Sequence, residues 1–251
     1  MSTNQLFNYC LHLADNNLIL TQRNAEWCGH GPILEQDIAI TNITLDLIGQ
    51  ARNFYQYAAK LSGEDVTEDT LAYGRNERSF KNCLLAEVPN GDWAQTVVKQ
   101  FFYSSFQFFL YEEMIQSADE QLAAIACKSL KEVTYHVTWS SEWVIRLGDG
   151  TPESRTRMQH ALTELWPYTG ELFMPVAYET EMLNKRIAPN VTRIKDKWFQ
   201  KIQEVFEEAT LTVPENIFMH AGGKTGTHTE QLGYILAELQ YLHKTYPGAE
   251  W

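Results

Sequence analysis

The stretch Lys131-Glu132-Val133-Thr134-Tyr135-His136 places an imidazole four residues after a carboxylate, inside a long helical run. Side chains three or four residues apart stand over one face of a helix, so such a pair can aim at a single metal ion. A carboxylate-bridged di-iron centre asks for more: two helices of a bundle each carry Glu-x-x-His, and two others each supply a lone Glu. At that spacing the residue before His136 is Val133, which has no donor atom. The test extends to the whole chain, because there are only seven histidines. Three residues before His12, His30, His136, His160, His220, His228 and His243 stand Tyr9, Trp27, Val133, Arg157, Ile217, Thr225 and Gln240, so no Glu-x-x-His occurs. At a spacing of four, Glu26 precedes His30 in a Gly-Pro loop, and Glu132 precedes His136. The second pair is either half of a metal site or a buried histidine hydrogen-bonded within a helical core.

Other acidic candidates are Glu26, Asp46, Glu112, Glu113, Glu132 and Glu142. Two iron ions need several carboxylates for charge balance, and imidazoles from separate helices. The second long helix has no histidine; its centre reads Asp46-Leu47-Ile48-Gly49-Gln50-Ala51-Arg52, where Gln50 offers only a neutral amide. These residues argue against a di-iron enzyme. The alternative is a di-iron oxygenase with unorthodox ligands such as Glu132 and His136. Gly223-Lys224-Thr225 resembles the end of a phosphate-binding loop, but Phe218 stands where the opening glycine belongs, and no strand precedes it. It reads as a loop leading into the last helix. Cys28 near His30 leaves a metal-free enzyme with a thiol or carboxylate as a third reading, with no third group to orient the pair.

At 251 residues the chain can bury a large core. Its net charge of −12 argues against a nucleic-acid or anionic-membrane partner, whose phosphates need a basic face. Cys10, Cys28, Cys83 and Cys127 are widely spaced and form no Cys-x-x-Cys, which suits a reducing compartment. The first residues show no basic region followed by an apolar core, and no run reaches the ~20 apolar residues that span a bilayer. These features read as a soluble protein of the cytoplasm.

Helical patterning fills the chain. Residues 4 to about 23 read as one helix, closed by Gly29-His30-Gly31-Pro32. Glu35 to about Leu61 reads as a second, apolar on most sides and therefore central in a core. Residues 64–91 are less regular. Asp92 caps a third helix with a dense aromatic stripe (Phe101, Phe102, Phe106, Phe108, Phe109), expected to be core or subunit interface. Asp119 opens a fourth, running to about Leu147. Beyond it the expectation is shorter helices: 152–164 with Thr151 as cap, 168–184 bending near Pro175, 190–209, and a last one begun by the capping box Thr227-x-x-Glu230 and running to Tyr246. The expected architecture is an all-α four-helix bundle, about 4–147, with additional C-terminal helices over about 152–246, as a single domain across 1–251.

Several longer motifs carry a resemblance. Asn24-Ala25-Glu26-Trp27-Cys28-Gly29-His30-Gly31-Pro32, Leu45 through Arg52, Ser141 through Gly150, Leu165-Trp166-Pro167, Gly226 through Gly233 and Pro247 through Trp251 resemble the structural-subunit family of bacterial phenylacetyl-CoA epoxidases, from end to end. The resemblance implies a ferritin-like fold and a place in a multisubunit di-iron monooxygenase of aerobic phenylacetate degradation. A related catalytic subunit would hold the iron and bind the CoA thioester. This chain would be a structural subunit without catalytic activity or cofactor of its own. Where the catalytic subunit is expected to have its two Glu-x-x-His pairs, this chain has Leu47 and Gln50 on the second helix and Val133 and His136 on the fourth. Only His136 keeps a ligand type, with Asp46 and Glu132 as further members of a polar remnant. The implied partners are the di-iron catalytic subunit and the other epoxidase subunits including a reductase, and self-association of this chain stays open.

Overall fold

Glycine, proline and capping side chains punctuate this chain, and the helices fall between those marks. The computed structural model describes residues 2–63, 65–247 and 249, with side chains from Gln5 onward. Gly248, Glu250 and Trp251 of the C-terminal motif lie outside the described residues. Helix α1 is Ser2–Ala25 and α2 is Leu34–Ser62, stopped by Gly63 at φ 131°, a backbone region that favours glycine. Then come the short α3 (Glu68–Tyr73) and α4 (Leu84–Glu87). Asp92 opens α5 (Trp93–Met114) with a reciprocal box: its carboxylate accepts from the Gln95 amide N–H, and the Gln95 side chain accepts from that of Asp92. Asp119 caps α6 (Glu120–Gly148), and Thr151 with Pro152 starts α7 (Pro152–Leu165), as the sequence predicts.

The remaining helices are α8 (Ala177–Asn184), α9 (Val191–Glu208), α10 (Glu230–Leu239) and α11 (Tyr241–Thr245). Among the described residues the chain is helical with no strand. Two expectations need correction. The bent helix over 168–184 is absent: two 3-10 turns span Trp166–Tyr168 and Gly170–Phe173, Met174 is extended, and α8 starts only after Pro175. Proline forces the residue before it out of the helical region, so the chain breaks there instead of bending. The expected box at Thr227 does not form either. Thr229 is the cap, and the last helix divides at Gln240, whose side-chain amide donates to the carbonyls of Ala72 and Arg75.

The helices pack as two compact units. The first holds α1 to α4, most of α8, and the chain from Gly222 onward; within it α1 and α2 form a helical hairpin. The second holds α5, α6, α7 and α9, with α5 and α6 as its hairpin. Its centre is the aromatic stripe, so that stripe is core. Phe101, Phe102 and Phe106 are buried, and the Phe102 ring lies 5.7 Å from both Trp166 and Trp198. The Trp198 indole N–H donates to the Phe102 carbonyl at 2.9 Å, satisfying the one polar atom of that buried ring. In the first unit, α2 is only partly central. Ile40, Ile43, Leu47 and Phe54 are buried, whereas Leu34, Ile38, Leu45 and Ile48 are exposed.

Asp92→Ala removes the acceptor for the first free N–H of α5 and should cost about 1 kcal/mol of stability. Urea unfolding measures this, and an unchanged midpoint would show that Gln95 alone holds that terminus.

Candidate functional site

The positions that the resemblance singles out lie on two helices, one in each unit. On α2, Leu47 and Gln50 belong to the buried face, at 0% and 1% exposure. On α6, Val133 and His136 are both fully buried, on a face shared with Ser129 and Ser140. Ser140 donates to the His136 carbonyl at 2.7 Å, the back-bond a helical serine makes when no other acceptor is offered. Asp46 and Glu132 are half-buried beside these faces. Leu47 and Val133 are hydrocarbon and have no atom that could bind a metal. Among the described residues, no three His, Cys, Asp or Glu side chains come together in a group able to hold a metal ion.

The other sequence candidates are dispersed. Glu26 pairs with Arg23 at 2.6 Å and not with His30, whose Nδ1 lies 3.2 Å from the Cys28 carbonyl. The Cys28 thiol is approached by the Thr41 hydroxyl instead, so thiol and imidazole are not aligned for nucleophilic work. Glu112 and Glu113 face Lys197 on the surface, and Glu142 is exposed.

A constellation absent from the sequence reading lies in the first unit, where α1 turns a polar face inward: His12, Asp15, Asn16, Asn17, Arg23 and Asn24 are all buried. Three ion clusters use that face. In the first, the fully buried Asp15 carboxylate takes both terminal nitrogens of Arg75, the Tyr55 hydroxyl at 2.5 Å and the Lys81 amide N–H at 2.8 Å. Burial and the adjacent Asp15 charge push the Tyr55 phenol well above its usual range, so it remains a donor. The Arg75 guanidinium also stacks 4.1 Å from the Phe80 ring.

In the second cluster Lys224, the lysine of the Gly-Lys-Thr sequence, is buried with its Nζ 3.1 Å from both Glu179 oxygens. A lysine held this way has its charge already answered, and no phosphate loop exists here. The Tyr178 hydroxyl donates to the Lys224 carbonyl, and Glu179 accepts from the Val176 amide N–H. Gly223 lets this turn sit against the chain, since a Cβ there would lie 2.2 Å from the Asn82 carbonyl oxygen. His12 Nε2 stands 3.7 Å from Glu179, but burial pushes its imidazole below the ordinary value against the pull of that carboxylate. The neutral ring donates from Nδ1 to the Lys81 carbonyl at 2.8 Å.

The third cluster surrounds Glu87, which is fully buried. Its carboxylate accepts from the Thr229 amide at 2.7 Å, the Asn82 side chain at 2.9 Å and His228 Nδ1 at 2.9 Å. The other ring nitrogen of His228 faces the Phe80 carbonyl at 3.0 Å. Both neighbours are acceptors, so both nitrogens must donate, which only the imidazolium does. Burial acts to lower the His228 pKa, but the hydrogen bond and charge of Glu87 and the Phe80 carbonyl raise it above the ordinary value. Arg23 completes the cluster by donating twice to the Glu87 carbonyl, at 3.0 and 3.1 Å.

The arrangement encloses no reactive centre: each buried charge is neutralised by a neighbour. It is a set of ties from α1 to chain segments far off in sequence. The one local signal was the unusual count of polar residues in a helix otherwise rich in leucine.

Comparison with known proteins adds two findings. The model of the phenylacetic acid catabolic protein family matches residues 1–251. A relative from Escherichia coli (strain K12), named as the C subunit of 1,2-phenylacetyl-CoA epoxidase, is 47% identical over 248 residues, covering 99% of this chain and all of the relative.

Lys224→Met leaves Glu179 buried without its cation and should destabilise the chain by about 3–5 kcal/mol, most of it recovered by Lys224→Met with Glu179→Gln. Denaturant unfolding of both variants measures this. The His228 contact has a folded pKa above the unfolded value, so its stabilisation is complete below about pH 6.5 and fades as pH rises through the folded pKa. The melting temperatures of wild type and His228→Gln should therefore lie furthest apart below about pH 6.5 and converge as pH rises through the folded pKa. A constant gap would mean that His228 acts without its proton.

Proposed function

The chain belongs to the phenylacetic acid catabolic protein family, and from that premise we propose that it is a structural, non-catalytic subunit of a phenylacetyl-CoA epoxidase complex. Its fold is the all-α, ferritin-like one of that family. In this reading the di-iron centre and the CoA thioester belong to a related catalytic subunit, this chain binds no cofactor, and the assembly works in the cytoplasm with a reductase. The observation that carries the proposal is the complete burial of Leu47 and Val133, two apolar side chains that in this reading stand in for the carboxylates of the di-iron pattern.

Replacing buried ligands by hydrocarbon removes the need to balance a dicationic metal, and an unpaired buried carboxylate would be costly in its place. Gln50 and His136, with Asp46 and Glu132 at the edges, are then the polar remnant of a degenerate site. The three ion clusters support the same reading from a different side. They commit the buried carboxylates of the first unit, Asp15, Glu87 and Glu179, to closed ion pairs. No described helix is long and apolar enough to cross a membrane.

Metal analysis tests the proposal directly. The chain purified alone should hold no stoichiometric iron, and co-expression with its catalytic partner should give a complex whose iron follows that partner. His136→Gln, which keeps a hydrogen-bonding side chain, should leave that iron content unchanged. About two irons per chain in the protein alone, lost in His136→Gln, would identify a di-iron oxygenase using Glu132 and His136.

A further inference from the structure

Helix α2 is apolar nearly all round, yet the chain buries only one side of it. Leu34, Ile38, Leu45 and Ile48 are 71%, 52%, 61% and 40% exposed. At 3.6 residues per turn the four fall within about 80° of one another and form a ridge about 21 Å long. A helix with hydrocarbon on both faces is normally enclosed on both, and a contiguous exposed apolar strip marks an interaction site.

Gly49 sits on the same strip, where a Cβ would meet nothing within 4 Å. Glycine in mid-helix weakens the helix, and nothing in this chain's own packing requires its small size. Its bare backbone is room for an incoming chain. Beyond Ile48 the ridge runs into a crevice of about 140 Å³, walled by Ala51, Tyr55, Ala72 and Tyr73 and rimmed by Arg52, Glu68 and Asp69. That volume accepts one apolar side chain.

Charge decides the occupant. Between Leu34 and Ile48 every charged residue of α2 is acidic (Glu35, Asp37 and Asp46), and the one cation at the crevice, Arg52, is paired with Glu68 at 3.5 Å, so the surface as a whole is acidic. Two copies of this face would set acidic flank against acidic flank, which is repulsive in a twofold contact.

We propose that the Leu34–Ile48 ridge of α2, with the adjoining crevice, is the docking surface for a helix of a protein partner that presents an apolar ridge flanked by Lys or Arg. The inference rests on the functional reading above, in which that partner is the catalytic subunit.

The test is titration of the full chain against the catalytic partner. Ile38→Glu with Leu45→Glu alters only exposed positions and should weaken binding by about 100-fold or more. Gly49→Leu should leave the chain at least as stable and still weaken binding, because it fills the bare strip. Phe218→Ser, at an exposed aromatic in the other unit, should bind as wild type does. Wild-type affinity should fall with added salt, and hydrogen exchange should slow across residues 34–52 in the complex. Ridge variants that bind like wild type would overturn the inference and leave the functional reading standing. A wild-type chain that forms no complex with the catalytic partner would overturn both. A wild-type homodimer dissolved by the ridge variants would overturn the commitment to a basic-flanked partner.

Discussion

A carboxylate without access to water must have its charge answered inside the protein, and Asp15 is the point from which the first unit is built. Its two oxygens engage Arg75, Tyr55 and the backbone of Lys81, fixing three chain segments relative to α1. Losing any of these donors leaves a buried anion short of partners, a penalty larger than the net worth of most single contacts. Glu87 and Glu179 repeat the arrangement with His228 and Lys224. The first unit is thus specified by charge pairing as well as by apolar packing, whereas the second unit depends on interlocked aromatic rings around Phe102 and Trp198.

The same energetic rule explains the two helices where metal ligands would be expected. Charge in a dry interior needs a counter-charge, and hydrocarbon needs none. At Leu47 and Val133 the chain has hydrocarbon; around α1 it has paired ions. Held in closed pairs, these ions fix chain segments to α1, which is what the proposed structural role asks of them. The unburied side of α2 fits that picture, because a shaped support needs a face on which another protein can rest.

What was legible in the sequence was local. Asp92, Asp119 and Thr151 announced their helices because a cap acts on the next three residues. The histidine census showed directly that Glu-x-x-His is absent, but that Leu47 and Val133 are buried needed the fold. The misses came from distance. Thr229 displaced Thr227 as a cap because its own amide is held by Glu87, 142 residues away. Lys224 looked like a loop residue because Glu179 lies 45 residues before it. The periodicity of α2 could not say which apolar face the chain itself would cover, since both faces read alike.

The sequence positions of the α1 partners also set an order of assembly. Arg75 and Glu87 follow α1 closely, but Glu179, Lys224 and His228 come from the last third of the chain. The second unit is complete once residue 221 has left the ribosome, while the first still waits for the segment that begins at Gly222. Domains usually mature from the N-terminus during synthesis. Here the helix made first has its own charges answered early, Asp15 by Arg75 and Arg23 by Glu26, while Glu87 beside it waits for His228 and the Glu179–Lys224 pair is not yet made, so a nascent chain carries an unfinished polar face through most of its translation. That interval is when a chaperone or an early-arriving partner has the most to protect.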